Sequence, residues 1–233
     1  MTQTVDRRAP RIIQLCESHT CEDQLWEDAY LRFESPEDEI QKFLRRFRTV
    51  GIDRWRQDLY MVELFCGRGN GLVALERLGF RSLEGIDLSR HLLEQYHGDA
   101  TLYVCDCRQL PFENESRDVV VVQGGLHHLP DLHSDLRRTV DEVHRILRSG
   151  GRFIVVEPWR TIFLDFVHRC AFSPLRKFSP KLDAFATMVD RERMTYERWL
   201  RHPAEIRRML NDRFLVEVDH TTWGKLLFVG VKK

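Results

Sequence analysis

Short apolar runs alternate with amphipathic helical patterns from residue 59 onward, and this alternation constrains the fold more than any other feature of the chain. Helical stretches of about ten to fifteen residues separate the first five runs, as crossover helices separate parallel strands. Seven runs are predicted as strands: Leu59–Phe65, Arg81–Ile86, Thr101–Val104, Asp118–Gln123, Arg152–Glu157, Phe214–His220 and Lys225–Val231. The sequence therefore predicts an α/β fold whose mostly parallel sheet is covered by helices on both faces.

The ends of the chain depart from this alternation. Thr221–Gly224 is a short polar joint, so the last two strands are predicted to form an antiparallel hairpin. Ser35 followed by Pro36 marks the start of a helix over 36–48, and a weaker helical pattern precedes it. Residues 1–20 are polar and are predicted to form an irregular tail.

These patterns divide the chain into two parts. Residues 1–58 are predicted to form a helical extension or lid, and residues 59–233 the main domain. Within the main domain, residues 158–200 form an insertion between the fifth and sixth strands, at the end of the sheet where a substrate lid would lie. This insertion is rich in Phe, which suits an aromatic or lipid-like acceptor. The basic excess of residues 160–213 indicates a solvated face or an anionic substrate.

Glycines at the alternating positions 67, 69 and 71 follow the first predicted strand and precede a helix. Such glycines let the backbone turn sharply and approach a ligand closely. A dinucleotide fits this loop poorly, because Leu72 stands where the third glycine belongs and Glu63 would repel a pyrophosphate. A ligand that carries an amino acid fits better, since its ammonium could meet Glu63 and its carboxylate the loop amides.

The strand and loop around Glu63, Gly67 and Gly69 resemble the first motif of the class I S-adenosylmethionine-dependent methyltransferases. Phe65 stands where that family has its first glycine, and Gly71 compensates in part. Four further segments follow in the family's order: 83–89, 104–107, 110–129 and 147–153. The resemblance is to the type 11 group, which includes the ubiquinone and menaquinone enzymes. It implies a Rossmann-like doubly wound seven-stranded sheet with an antiparallel C-terminal strand.

The resemblance also implies a cofactor and its site. S-adenosylmethionine is the expected cofactor, with Asp87 on the ribose hydroxyls, Asp106 on the adenine amine and the Cys107 backbone at the ring. The residues that match the family's cofactor site are Glu63, Phe65, Cys66, Gly67, Gly69, Asn70, Asp87, Leu88, Asp106, Cys107, Gln123 and Gly124. Asp87, Asp106 and Gln123 each have a plain structural alternative, as a helix-start acid, a turn cap and a solvated strand end.

The adjacent pair His127 and His128 supplies the candidate catalytic residues, because a general base helps when the acceptor must lose a proton. Glu157 and Tyr196 are weaker candidates for the same role. Neighbouring side chains are expected to point in different directions, one packed in the cofactor loop and the other exposed, and no third ligand is spaced to join them. No metal site is therefore predicted.

The overall composition narrows the function. Thirty-six basic residues balance thirty-six acidic ones, which argues against a dedicated nucleic-acid binder. Six cysteines without a secretory signal or a membrane-spanning run indicate free thiols and a cytoplasmic location. The predicted function is methyl transfer to an O, N, C or S atom of a small molecule. The alternatives are a binding module without turnover and a macromolecule-modifying enzyme, and the oligomeric state is left open.

Overall fold

Strands and helices alternate along the part of the chain that the computed structural model describes, residues 10–19 and 24–233. The strands there are β1 (Arg11–Gln14), β2 (Met61–Leu64), β3 (Leu83–Asp87), β4 (Thr101–Val104), β5 (Arg117–Gln123), β6 (Leu147–Pro158), β7 (Phe214–Thr222) and β8 (Lys225–Lys232). The helices are α1 (Gln24–Phe33), α2 (Pro36–Val50), α3 (Asn70–Arg77), α4 (Arg90–Leu93), α5 (Ser134–Ile146), α6 (Ile162–Ala171), α7 (Pro180–Arg191), α8 (Arg193–Arg201) and α9 (Pro203–Arg213). Short 3-10 turns cover 52–54, 126–128 and 174–178.

The strands form one sheet in the order β1-β4-β3-β2-β5-β6-β8-β7. Pairing is parallel from β1 to β6, and β8 runs antiparallel to both β6 and β7. The sheet order reverses direction between β3 and β5, on either side of β2, so the carboxyl ends of these strands bound a crevice. The predicted Rossmann-like fold, with its antiparallel C-terminal strand, is confirmed.

All seven predicted strands are present, and β1 is an additional eighth. The prediction of an irregular tail over residues 1–20 is wrong for 11–14, where Ile12 and Ile13 pair with Leu102 and Tyr103 of β4. Four residues are too short for an alternation to stand out, and an edge strand gains its order from its neighbour's backbone. Residues 1–9 and 20 of that tail lie outside the described residues.

Both faces of the sheet are buried, which explains the continuous apolar strands. In β5, Val120 and Val122 pack into a core with α5 and α9, while Val119 and Val121 pack into a second core with α2 and α3. The sheet is therefore doubly wound. Among the described residues, no helix combines the length and the hydrophobicity that crossing a membrane requires.

Helix α2 begins at Pro36, as its sequence predicts, and ends at Val50, two residues beyond the predicted end. Ser35 caps it, since its Oγ accepts a hydrogen bond from the Asp38 amide at 3.2 Å, and Gly51 ends it with a φ of 80°. Phe43 and Phe47 on its apolar face share the second core with α3. The helix therefore lies against the glycine loop. The division of the chain at residue 58 stays a prediction.

Candidate active site

A cavity of about 200 Å³ lies at the carboxyl ends of β2, β3, β4 and β5. Eleven of the fourteen predicted site residues line it: Glu63, Phe65, Cys66, Gly67, Asp87, Leu88, Asp106, Cys107, Gln123, Gly124 and His128. Gly69, Asn70 and His127 lie behind this lining. The predicted residues therefore surround one space, at the position where open α/β sheets bind ligands.

The glycine loop keeps a left-handed backbone at three alternating positions. Phe65, Gly67 and Gly69 have φ values of 55°, 53° and 75°. At Gly69 a Cβ atom would also lie 2.3 Å from the Tyr96 ring, so glycine is required there for two reasons. Phe65 adopts the conformation that a glycine favours at a cost of about 1–2 kcal/mol. Although Phe65 departs from the family's pattern, its backbone therefore keeps the conformation that a glycine would adopt.

The Phe65 side chain occupies space that is open because Gly125 has no side chain. A Cβ atom at Gly125, in the loop after β5, would lie 2.2 Å from Phe65 Cγ. Phe65, which bounds the cavity, and Gly125 therefore fit each other, because a phenyl ring faces a position without a side chain.

We expect Gly125→Ala to destabilise the protein by about 1–3 kcal/mol, because the added methyl overpacks against the Phe65 ring. In a Phe65→Gly background the same substitution should cost less than about 1 kcal/mol, since the ring is gone. Urea unfolding of the four proteins in this cycle measures the coupling. Equal costs in both backgrounds would contradict the pairing of Phe65 with Gly125.

Glu63 carries a buried carboxylate with an unmet hydrogen-bonding capacity. Its Oε1 accepts a hydrogen bond from Gln123 Nε2 at 3.3 Å, but its Oε2 has no partner. The first turn of α3 makes room for it, because a Cβ at Gly71 would lie 2.0 Å from Oε1. Burial raises the pKa of Glu63 to about 8. A cation at this point of the cavity would satisfy the free oxygen.

Asp87, at the end of β3, is held by backbone amides on both oxygens. Oδ2 accepts from the Gly67 amide at 2.7 Å and Oδ1 from the Ser89 amide at 2.9 Å. Burial raises its pKa to about 6 even though these hydrogen bonds oppose the shift. Each oxygen retains a second lone pair. A pair of hydroxyl groups in the cavity could therefore be accepted by this fixed carboxylate.

Asp106 has a partner that the sequence analysis missed. Arg108 donates from Nε to Oδ1 and Oδ2, both at 3.0 Å, and it also contacts Asp135. Burial would raise the pKa of Asp106, but the hydrogen bonds from Arg108 outweigh burial and lower it. The carboxylate is thus ionised and oriented. Its predicted contact with an adenine amine stays a prediction.

The N-terminal helices complete the cavity, which sequence reasoning did not foresee in detail. The lining residues that were missed are Trp26, Tyr30, Glu39, Phe43, Leu92, Arg108, Leu129 and Pro130. Glu39 of α2 ties the glycine loop to this wall, because its Oε2 accepts from Arg68 Nη2 at 3.0 Å and from Asn70 Nδ2 at 2.8 Å. Of these residues, the apolar face around Phe43 carried a signal in the sequence.

His127 lies between two carboxylates. Its Nδ1 is 2.7 Å from Glu157 Oε2, and its Nε2 is 3.8 Å from Glu192 Oε1. The other oxygen of Glu157 accepts from the Gly125 and Leu126 amides, each at 2.7 Å. Burial lowers the pKa of His127, but the two carboxylates outweigh burial and raise it to about 9. His127 is therefore protonated at neutral pH and serves as the cation of this cluster.

His128 lines the cavity with a free nitrogen. Its Nδ1 is buried and lies 3.2 Å from Glu192 Oε2, outside hydrogen-bonding geometry, while Trp26 Nε1 donates to the same oxygen at 2.8 Å. Burial and the charge of His127 lower the pKa of His128 to about 4. This imidazole is neutral at physiological pH.

The expectation that the two histidines point apart, one of them exposed, is wrong. Both are buried, their ring centroids are 4.1 Å apart, and both approach Glu192. Glu192 is also a third potential ligand, since the ligand atoms of the three residues lie within 4.8 Å of one another. It comes from the junction of α7 and α8, which the sequence spacing gave no reason to place here. The absence of a metal stays a prediction.

Comparison with known proteins agrees with this geometry. Residues 62–155 match the family described as Methyltransferase domain (Methyltransf_11). The ubiquinone/menaquinone biosynthesis C-methyltransferase UbiE of Geobacter sp. (strain M21) is 28% identical over 170 residues, which cover 61% of this chain and 70% of that protein. The demethylmenaquinone methyltransferase of Symbiobacterium thermophilum is 26% identical over 163 residues, which cover 65% of this chain and 62% of that protein.

Solved structures share the fold at low sequence identity. The PH0226 protein from Pyrococcus horikoshii OT3 superimposes with a TM-score of 0.66 at 15% identity, covering 91% of this chain and all of that one. A SAM-dependent methyltransferase from Methanosarcina mazei gives a TM-score of 0.57 at 19% identity, covering 78% of this chain and 96% of that one.

Residues 62–155 therefore carry a methyltransferase domain of the type 11 group, and the fold around them is that of the class I S-adenosylmethionine-dependent methyltransferases. The cofactor is S-adenosylmethionine.

Proposed function

We propose that the chain transfers the methyl group of S-adenosylmethionine to a small lipid-like acceptor. The observation that carries this proposal is the cavity that joins the free oxygen of Glu63, the fixed carboxylate of Asp87 and the free nitrogen of His128. The quinone-biosynthesis methyltransferases named above make a hydrophobic acceptor the closest chemical precedent. We also propose a cytoplasmic location, which the free thiols of the described cysteines support.

The cofactor residues have separate roles in this proposal. Glu63 holds the ammonium group, which would satisfy its unpaired oxygen, and Asp87 holds the two ribose hydroxyls. In the glycine loop, the Arg68 and Asn70 amides face the carboxylate, because the Cys66, Gly67 and Gly69 amides already donate to Ile86, Asp87 and Cys66. Asp106 and the Cys107 backbone address the adenine. The bound cofactor supplies a methyl group already activated on a sulfonium, so the protein needs chiefly to align the acceptor and exclude water.

His128 is the group that we propose takes a proton from the acceptor. Its Nδ1 is unpaired and faces Glu192, whose carboxylate would stabilise the imidazolium once it forms. His127 is a positioning residue, because it already carries a proton that Glu157 and Glu192 hold in place. Trp26, with its ring 5.2 Å from that of His128, closes this side of the cavity against water.

We expect His128→Ala to lower kcat by about 100-fold to 10,000-fold and to leave the affinity for S-adenosylmethionine unchanged. Turnover is measured with a panel of phenols and reduced quinones, and affinity by calorimetry. His133→Ala is the matched control, because that histidine is exposed and pairs with Glu205. The kcat of the wild type should not fall between pH 8 and pH 5, since His128 is deprotonated above a pKa of about 4.

Two outcomes would contradict this role. A rate that falls below about pH 9 would make His127, with its pKa of about 9, the base instead. Cofactor binding without turnover on any acceptor would favour a binding module. Phe65 departs from the family's first glycine, but its backbone adopts a glycine-like conformation, so this departure gives no reason to prefer such a module.

A further inference from the structure

Exposed apolar side chains are concentrated on one segment of the protein. Of the thirteen large hydrophobic residues exposed in the described part of the chain, six lie on α6 and the turn that follows it: Ile162, Phe163, Phe166, Phe172, Leu175 and Phe178. Ile162 is 91% exposed and Phe178 is 85% exposed, far more than side chains that line a pocket. A monomeric protein seldom leaves such a group uncovered unless it serves an interaction.

Several of these apolar side chains are neighbours rather than scattered points. Ile162, Phe163 and Phe166 occupy neighbouring positions on α6. Trp223, at the tip of the β7–β8 hairpin, meets Phe163 at a ring-centroid distance of 5.2 Å and is still 74% exposed. The turn 174–178 packs against the same helix. We call the six residues and Trp223 the aromatic surface.

The charge around the aromatic surface is mostly positive. Residues 160–181 contain five basic residues and one acidic residue, Asp165, which is a net charge of 5 − 1 = +4. All five basic side chains are exposed: Arg160, Arg169, Arg176, Lys177 and Lys181. Among the described residues, Arg169 and Lys177 have no acidic partner. A second copy of this chain would therefore bring like charges together.

We propose that the aromatic surface docks on an anionic lipid membrane. Exposed aromatic and aliphatic side chains enter the headgroup boundary, while the surrounding Arg and Lys side chains meet the anionic headgroups. The surface begins at Ile162, five residues after Glu157, which holds His127 in the acceptor region. Docking there would bring a membrane-dissolved acceptor close to the site. That advantage rests on the proposed function, whereas the docking itself does not.

The test is co-sedimentation of the full chain with vesicles of phosphatidylcholine and phosphatidylglycerol, compared with phosphatidylcholine alone. We expect the wild type to bind the anionic vesicles. A triple variant that combines Ile162→Ser, Phe166→Ser and Phe178→Ser should have a partition coefficient at least tenfold lower. The matched control combines Leu25→Ser, Tyr60→Ser and Leu215→Ser, which are exposed apolar residues outside the surface. This control should bind as the wild type does.

A second pair of variants tests the charges. Arg169→Glu with Lys177→Glu should weaken vesicle binding at least tenfold, whereas Arg45→Glu with Arg48→Glu, exposed on α2, should not. Brominated lipids should quench tryptophan fluorescence in the wild type and much less in Trp223→Phe. Titration with S-adenosylhomocysteine confirms that each variant is folded, and it reports on the proposed function separately because vesicle binding needs no cofactor.

Three results would overturn the proposal: no binding to anionic vesicles, equal losses in the test and control variants, or no quenching that depends on Trp223. A fourth is a wild type that is dimeric in light scattering without lipid and becomes monomeric in the serine variant. That outcome would assign the surface to self-association, and capture of a protein partner with no lipid binding would assign it to that partner.

Discussion

Asp87→Asn is expected to weaken the binding of S-adenosylhomocysteine by more than about 100-fold. Hydrogen bonds to a charged group contribute about 1.5–3 kcal/mol each, and the proposed ribose site has two. Asn keeps the size of the side chain and one acceptor for the Gly67 or Ser89 amide, so that the loop can still fold. Calorimetry measures the affinity, and Asp99→Asn, at an exposed position, is the control.

A ligand that lacks the 2′-hydroxyl distinguishes a loss of ribose recognition by Asp87 from a distortion of the glycine loop. The 2′-deoxy analogue of S-adenosylhomocysteine should bind the wild type at least tenfold more weakly than the parent compound. Asp87→Asn should discriminate much less between the two ligands, because the acceptor of that hydroxyl has lost its charge. Full discrimination by the variant would place the ribose elsewhere in the cavity.

Glu63→Gln should lower cofactor affinity by about 100-fold or more and at the same time stabilise the free protein. Removing one partner of a buried ion pair costs about 3–5 kcal/mol, and the partner proposed here is the ligand's ammonium. In the free protein the substitution should instead be stabilising, because Oε2 of Glu63 is buried without a partner. At neutral pH Glu63 must take up a proton to be buried, whereas a neutral amide needs none and can still pair with Gln123.

The effects of Glu63→Gln on stability and on ligand binding should both depend on pH, each in a definite direction. The folded pKa of Glu63, about 8, lies above its ordinary value of 4.5, so the folded state holds a proton that the unfolded state loses. Stability should therefore fall in the wild type as the pH rises from 4.5 toward 8, and less so in Glu63→Gln. At pH 7, ligand binding should release about one proton from Glu63 and none in the variant.

Calorimetry in buffers of different ionisation enthalpy counts the released protons, and urea unfolding between pH 5 and pH 9 follows the stability. The neighbours that influence this carboxyl are Gln123, Glu39 and Asp87, and the variant leaves them in place. A variant with wild-type affinity, or with the same proton release, would remove Glu63 from the ammonium site.

Sequence patterns were informative wherever local chemistry sets the structure. The strands follow from their apolar runs, and the start of α2 follows from Ser35 and Pro36. The loop residues from Glu63 to Asn70 follow from a strand, closely spaced glycines and a helix in succession. Because the carboxyl ends of parallel strands meet, Asp87, Asp106 and Gln123 were predictable as neighbours even though many residues separate them.

The remaining features of the site depend on tertiary packing, which no local sequence pattern predicts. Glu192 is one of 36 acidic residues, and only the packing of α7 against α1 and of α8 against the 126–128 turn brings it to the histidines. Trp26 and Glu39 reach the cavity because α1 and α2 lie over the glycine loop. The adjacent histidines were misjudged because a 3-10 turn at 126–128 sets their directions, and neighbouring residues in an irregular segment have no fixed relation.

The pairing of β1 with β4 also affects how the chain folds during its synthesis. Ile12 and its partner Leu102 are 102 − 12 = 90 positions apart, so β1 leaves the ribosome well before its neighbour β4 has been made. At about 5–20 residues per second, this delay lasts roughly 5–18 seconds. During that interval Ile12 and Ile13 are exposed to chaperones, and this edge of the sheet becomes available for pairing before β5 to β8 have been made.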